Sequence, residues 1–532
     1  MTMSALAAQA SADPNSDHVV ADQSEVAAFL SDPATYGPGV RSVERIDTHG
    51  AMVFLGGDRA YKVKRAVRFP YMDFSTLARR RTACAREIEL NRRTAPDIYL
   101  GVEAVVRTPD GGLSLGGEGK AVEWLVLMTR FDQAGLCDRL AQAGRLTPDL
   151  MRALADGVAA FHEGAQRLYG GHGLGGGAVG LREVIDENIS ELAACPDLFD
   201  PDEVRALAEA SRGALDRHHD LLETRLATGY VRRCHGDLHL RNICVINGRP
   251  TIFDAIEFND LIACIDVLYD LAFLLMDLDH RRLRPLANLV LNRYLQHRDD
   301  IAGLAAMPLF LTTRAVVRAK VGVSVAASQR NPQAAGHLRN EACAYFRAAR
   351  ACLEPAPPRL LAVGGLSGTG KTVLARHLAP LLGATPGALH LRSDVLRKAR
   401  SGVDELTRLP PEAYTPEATR QVYADLAARA RAGLAAGRAV IVDGVYAKME
   451  ERSAIEAIAR DAGVDFTGLW LGAPDATLLG RVAGRRADAS DATQEVVRQQ
   501  LDYDLGFVDW HRLDTSGSRN AVAATAERVL KV

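Results

Sequence analysis

No cysteine spacing in this chain fits a zinc site or a disulfide framework. The eight cysteines (Cys84, Cys137, Cys195, Cys234, Cys244, Cys264, Cys343 and Cys352) contain no CxxC pair, and all precede residue 353. Reduced, mostly buried thiols in a cytosolic protein are the expectation. No sign of charge prevails either. Lys and Arg number 64 against 66 Asp and Glu, a net charge of −2, which excludes a global basic field that would gather nucleic acid or an anionic membrane. No apolar run is long enough to span a bilayer; the strongest, Leu271 to Met276, is broken by Asp270 and Asp277. The N-terminal stretch lacks both the basic and the apolar region of a secretory signal. The expected location is therefore the cytoplasm, with no membrane partner and with nucleic acid disfavoured. What the chain does have is length: 532 residues exceed one hydrophobic core and imply two to four domains.

Residues 1–22 are small and polar and are expected to be disordered. The clearest internal boundary is Glu354-Pro-Ala-Pro-Pro-Arg359, where three prolines favour an extended spacer. That divides the chain into a first domain over 23–352, a linker over 353–359 and a second domain over 360–532. Residues 51–64 predict two strands around a Gly-Gly-Asp turn, followed by a helix from Leu77 to Arg93 and a strand at Trp124–Met128. The glycine-rich stretch Gly170–Gly180 reads as a flexible surface loop, because no strand leads into it.

Two segments carry chemistry. The first is His235-Gly-Asp237-Leu-His-Leu-Arg-Asn242, followed by Ile252-Phe-Asp254. Phosphoryl transfer needs a group to take the acceptor proton and oxygen ligands for magnesium, and HxDxxxxN with a later Asp supplies both. The interval from Asn242 to Asp254 fits a hairpin turning at Asn247-Gly248. These residues resemble the catalytic core of the aminoglycoside phosphotransferase and choline kinase group, relatives of the protein kinases. The resemblance implies an α+β, protein-kinase-like two-lobed domain using ATP and Mg2+. In it Asp237 is the base, Asn242 and Asp254 ligate the metal, and His235 braces the loop. It also implies a phosphate-binding lysine, Lys62 or Lys64, with Lys62 preferred. A partner carboxylate follows, Glu87 or Glu89, with Glu87 preferred, and an adenine edge is met by backbone near Met128 to Phe131. Two departures stand out. Thr48-His49-Gly50 replaces a GxGxxG loop, and the metal Asp lies in Phe-Asp-Ala-Ile-Glu-Phe, leaving Glu257 as a candidate further ligand. In the helical lobe Arg314, Arg318 and Lys320 cluster between apolar flanks. An exposed basic face is the ordinary explanation, and the sharper one is that they hold an anionic group of the acceptor. Asp266 and Asp270 share a helix face after the hairpin and are candidates to brace the loop.

The second segment is Gly365-Leu-Ser367-Gly368-Thr369-Gly370-Lys371-Thr372, entered from the apolar run Leu360–Val363 and opening a helix over Val373–Leu382. Glycines let backbone N–H groups face the phosphates, Lys371 reaches the β and γ oxygens, and Thr372 ligates magnesium. Ala439–Asp443 is an apolar strand ending in a carboxylate, Asp443, that would hold the metal through water or orient the acceptor. By resemblance to small-molecule P-loop kinases, Asp394 and Arg397 fall where the acceptor is bound and activated. Gly480 to Asp491 reads as a lid, with Arg481, Arg485 and Arg486 spaced to clamp phosphoryl oxygens. Together these resemble the adenylate-kinase-like P-loop kinases (gluconate kinase, the polynucleotide kinase phosphoryl-transfer domain, zeta-toxin-type kinases), which implies an α/β domain with a mainly parallel sheet. The whole chain looks like bacterial proteins that fuse an aminoglycoside phosphotransferase family domain to an ATP-binding P-loop domain. The leading expectation is a bifunctional small-molecule kinase acting on hydroxyl substrates. The alternatives are one catalytic domain beside a nucleotide-sensing regulator, or a toxin- or stress-type kinase acting on a nucleotide-sugar or RNA end.

Overall fold

The computed structural model describes residues 18–69, 71–170, 175–329, 331–484 and 489–532. They form two compact units, one from residues up to His280 with Leu309–Leu353, the other from Arg281–Pro308 with Glu354–Val532. Among the described residues no helix is long and apolar enough to cross a membrane.

The first unit begins with an antiparallel sheet of β1 (Val43–Asp47), β2 (Ala51–Gly56), β3 (Arg59–Lys64), β4 (Tyr99–Arg107), β5 (Leu113–Leu115) and β6 (Lys120–Thr129), in the order β1-β2-β3-β6-β4-β5. Alternation along β3 decides what each face carries. Val63 enters an apolar layer with Met52, Phe54 and Leu125. Lys62 and Lys64 emerge on the opposite face, over which helix α1 (Leu77–Asn91) packs through Cys84 and Ile88. Thr76 caps that helix by accepting from Arg79 N–H at 3.3 Å. The rest of the unit is mostly helical, with short two-stranded pairs that include a hairpin of β7 (Ile243–Ile246) and β8 (Arg249–Ile252). The hairpin turns through Asn247 (φ 51°) and Gly248 (φ 76°), both left-handed as a two-residue hairpin loop requires. Helix α2 (Val267–His280) follows and is almost entirely buried; helix α4 (Met307–Ser328) comes later in the chain.

Two sequence expectations change here. The described end of the segment expected to be disordered, residues 18–22, is paired: Val20 N–H donates to Ala66 O at 2.8 Å and Arg68 N–H donates to His18 O at 2.9 Å. Residues 1–17 lie outside the described set. The described part of the glycine-rich stretch is not a free surface loop. A Cβ on Gly175 would sit 1.9 Å from Leu261 O and one on Gly176 2.5 Å from Val231, so these glycines permit close backbone approach under helix Gly177–Ala193.

The second unit is built on five parallel strands, β9 (Arg359–Gly364), β10 (Leu389–Arg392), β11 (Val440–Asp443), β12 (Asp465–Gly472) and β13 (His511–Asp514), in the order β10-β11-β9-β12-β13. Near-continuous apolar runs in β9 and β11 suit strands covered on both faces. Its helices include α5 (Lys371–Leu378), α6 (Ser393–Arg400), α7 (Asp475–Ala483) and α8 (Gln494–Leu501). Helix α3 (Arg284–His297) belongs to this unit, although it lies far upstream of the proline segment. It closes the open edge of β10: Asn288 Nδ2 donates to Ala388 O at 3.0 Å, and Asn292 Oδ1 accepts from His390 N–H at 2.7 Å. An uncovered edge strand would leave those backbone groups unpaired.

Candidate active sites

In the first unit β3, α1 and the β7–β8 hairpin converge on one cleft. Lys62 Nζ donates to Glu87 Oε1 at 2.8 Å and to Asp254 Oδ1 at 2.6 Å. Lys64 lies deeper, 2% exposed, and pairs with Glu87 and Glu257. Glu87 therefore serves both lysines, while Glu89 faces outward on the same helix. Glu257 is committed to Lys64, and burial pushes its carboxyl up. Burial opposes ionisation of Asp254 too, yet Lys62 holds its carboxyl below the usual range. The backbone of Asp254 is left-handed (φ 64°), a cost met by fixed partners on both sides. Its N–H donates to Tyr99 Oη at 3.0 Å, and Ala255 N–H donates to Asn91 Oδ1 at 2.7 Å.

The catalytic-loop candidates are held as tightly. His235 Nε2 donates to Phe253 O at 2.9 Å and its Nδ1 accepts from Asp237 N–H at 3.2 Å, so both ring nitrogens are spent on loop geometry. Burial pushes the imidazole pKa down, which keeps it neutral for that role. Asn242 Nδ2 donates to Asp237 Oδ2 at 2.9 Å and to Asp237 O at 3.0 Å, fixing the amide against the base through its nitrogen. Burial would raise the Asp237 pKa, but His239, His235 and Arg318 hold it well below the carboxylate range. Met128 is a core residue, packed with Ala60, Ile88 and Tyr99. The following amides of Thr129 and Arg130 donate to Ile98 O (2.8 Å) and Asp58 O (2.9 Å).

In the second unit the loop 365–372 leaves β9 and enters α5. Gly365 has φ 137°, and a Cβ there would lie 2.4 Å from Leu471 O, so only glycine fits. Lys371 Nζ donates to Leu366 O at 3.1 Å, and Thr372 Oγ1 donates to Asp443 Oδ2 at 2.5 Å. Burial disfavours the Asp443 anion, but His390, Lys371 and Arg392 bring its pKa down to about 2. Asp394 shifts the other way, pushed up chiefly by burial. Ser367, Gly368, Thr369 and Gly370 form the turn between strand and helix, with Thr369 Oγ1 donating to Leu366 O at 2.7 Å. Arg397 reaches Ala413 O at 2.6 Å and lies over the Tyr414 ring. Arg481 donates to Thr515 O at 2.6 Å and Gly368 O at 3.4 Å; Arg485 and Arg486 lie outside the described residues.

Residues 58–307 match the phosphotransferase enzyme family and residues 360–504 match an AAA domain. An uncharacterized protein of Mycobacterium tuberculosis is 32% identical over 492 residues, 91% of this chain and 94% of the relative. A Mycobacterium bovis protein matches to the same extent. The chain belongs to their family. It is a kinase, with a phosphotransferase domain and a P-loop kinase-like domain in one polypeptide. Solved structures similar to its parts include a choline/ethanolamine kinase family protein from Mesorhizobium loti, at 17% identity, 62% of this chain, 95% of that chain and a TM-score of 0.39. An APS kinase from Mycobacterium tuberculosis in complex with AMPPNP and APS matches at 21% identity, 33% of this chain, 98% of that chain and a TM-score of 0.26.

In the phosphotransferase domain one sequence expectation is corrected. Arg314 and Lys320 are not directed at an acceptor anion. Arg314 is 3% exposed, donates to Tyr269 O at 3.1 Å and Gly236 O at 3.2 Å, and stacks on Tyr269. Lys320 pairs with Glu187 at 2.9 Å and Glu191 at 3.3 Å. Arg318 is among the cationic groups that depress the Asp237 pKa. The brace that the sequence only hinted at is Asp270, which accepts from His235 N–H (3.1 Å), Gly236 N–H (2.9 Å) and His162 Nε2 (3.1 Å). Asp266 instead forms a two-pronged pair with Arg225 at 2.6 and 2.8 Å. His162 carried no sequence signal, because its role rests on a partner more than a hundred positions away.

Proposed function

We propose that each domain transfers the γ-phosphate of ATP to a hydroxyl of a small metabolite, sugar-like or amino-alcohol in character. The observation that carries this reading is the convergence of Lys62, Glu87, Asp237, Asn242 and Asp254 on one cleft from four separate stretches of chain. Asp237 orients the acceptor hydroxyl and takes its proton as the new P–O bond forms. Its depressed pKa suits a loose transition state, in which the proton leaves late and a strong base is not required. Lys62, fixed by Glu87, presents its ammonium to the α and β phosphates.

The donor set in each cleft is hard oxygen, which fits magnesium. Asn242 and Asp254 would hold it in the phosphotransferase domain, and Thr372 and Asp443 in the P-loop domain; there it supplies charge neutralisation for the phosphates. In the P-loop domain burial raises the Asp394 pKa above the ordinary carboxylate value, which makes it a stronger base for the acceptor proton. Lys371 and the loop amides bind the phosphates, with Arg481, which donates to Gly368 O, placed alongside.

The acceptor of the phosphotransferase domain is neutral or anionic. Arg318, a cation beside the base, opposes a polycation such as an aminoglycoside. The test is a metabolite-extract screen for ATP-dependent phosphorylation with the full chain and its Asp237→Ala and Lys371→Ala variants. Each substitution is expected to lower one activity about a hundredfold or more and leave the other intact. Loss of all turnover in either single variant would refute two independent sites.

A further inference from the structure

We propose that Gln500 is a positioning residue of the P-loop reaction, holding the Ser367 amide from helix α8 and thereby setting the shape of the phosphate cradle. The inference rests on the kinase reading of that domain. Three consecutive loop residues are fastened to the helix pair α7–α8. Leu366 packs against the cluster of Leu478, Val482 and Val497. Ser367 N–H donates to Gln500 Oε1 at 2.8 Å. Gly368 lies so close to α7 that a Cβ would stand 2.9 Å from Leu478 O, and its carbonyl accepts from Arg481 at 3.4 Å. The outer turn of the cradle thus takes its shape from α7 and α8, not from β9 and α5 alone.

Gln500 is 8% exposed, so its polar atoms have little access to water, and the loop amide is the partner that satisfies its carbonyl. Its helix is itself fixed at the start, where Thr493 accepts from Val496 N–H at 3.4 Å. The choice of residue type is informative. A loop that binds phosphate needs its amide N–H groups held in place without adding negative charge beside the anion. A glutamine carbonyl meets both conditions. A glutamate would accept the same hydrogen bond and add the charge, while a methionine would keep the length and lose the acceptor. The two substitutions therefore separate geometry from electrostatics at one position.

The experiment titrates the full chain with Mg-ATP and with Mg-ADP by calorimetry, alongside Lys371→Ala, whose missing transition identifies the P-loop site. Gln500→Glu is expected to weaken ATP at that site about tenfold or more, ADP less, with the deficit shrinking as ionic strength rises. Gln500→Met is expected to weaken both nucleotides alike, by about fivefold, and to expose the Ser367 amide to hydrogen exchange. The transition of the phosphotransferase domain, unchanged in both variants, reports that the chain is folded. Wild-type affinities in both variants, with Ser367 still protected in Gln500→Met, would overturn the role of Gln500 and leave the kinase reading standing. If Lys371→Ala removes no transition, the kinase reading of the P-loop domain itself falls. A purely structural role would lower ATP and ADP affinity equally in Gln500→Glu with no salt dependence, and that result too would overturn the proposal.

Discussion

Replacing Asp270 by Asn should uncouple the catalytic loop of the phosphotransferase domain while leaving the rest of the chain folded. Asp270 has no solvent exposure, and its two oxygens accept from His235 N–H, Gly236 N–H and His162 Nε2. Asparagine offers one oxygen and one NH2 group in the same volume. Whichever way it is turned, a donor faces a buried N–H. One unsatisfied buried donor costs about 1–3 kcal/mol, and loss of charge assistance in the surviving bond adds about 1 kcal/mol. The total, about 2–4 kcal/mol, is below a typical domain stability of roughly 5–15 kcal/mol, so the domain stays folded and relaxes at the loop. Spent on displacing Asp237, the same energy corresponds to about a 30- to 1000-fold fall in kcat/KM. The assay is phosphoryl transfer by the full-length variant, with the P-loop activity as internal standard. The acid side supplies a second readout. Despite burial, His162, His235 and Arg314 hold the Asp270 carboxyl low, so its stabilisation is present above the unfolded-state pKa and is lost as pH falls through the folded one. Asp270→Asn should therefore flatten the acid limb of the stability curve. Turnover within twofold of wild type, or an equal loss at both sites, would show that the bracket does not position the base.

The two lysines of β3 should part company on mutation. Lys64→Met strands buried Glu257 and takes one of its two lysines from buried Glu87, and should cost about 3–5 kcal/mol in thermal or urea melts. Lys62→Met should melt near wild type but lose about a hundredfold in turnover; the reverse pattern would exchange their roles. In the P-loop domain, lowering of the Asp443 carboxyl from 3.8 to about 2 corresponds to on the order of 2 kcal/mol, present above about pH 4 and lost as pH falls toward 2. Acid titration of Asp443→Asn should lack that slope, and an unchanged slope would refute the assignment.

The parts legible in the sequence are those whose chemistry is written in short spacing. The His235–Asn242 loop, the hairpin reaching Asp254 and the Gly365–Thr372 turn each need particular residue types a few positions apart, so local pattern and required chemistry coincide. Partners set by tertiary approach were not legible. The apolar flanks of Arg314 accord with its burial, yet they could not say that its guanidinium would be taken by the carbonyls of Tyr269 and Gly236. The same holds for Asn288 and Asn292. Nothing local in the sequence marks them, although their amides close a strand edge about a hundred positions downstream, beyond the proline segment.

The choice between Lys62 and Lys64 shows where spacing stops deciding. Period two places both on one face of β3, and both reach Glu87, so neither strand geometry nor the helix partner separates them. Asp254 does, because Lys62 meets it at 2.6 Å while Lys64 pairs with Glu257. That discrimination depends on the left-handed backbone at Asp254, which turns the carboxylate into the cleft. The conformation in turn depends on Tyr99 from β4 and Asn91 from the end of α1, two residues no motif contains. Removing the Asn91 amide should therefore disturb the Lys62–Asp254 pair from a distance, through the backbone rather than through charge.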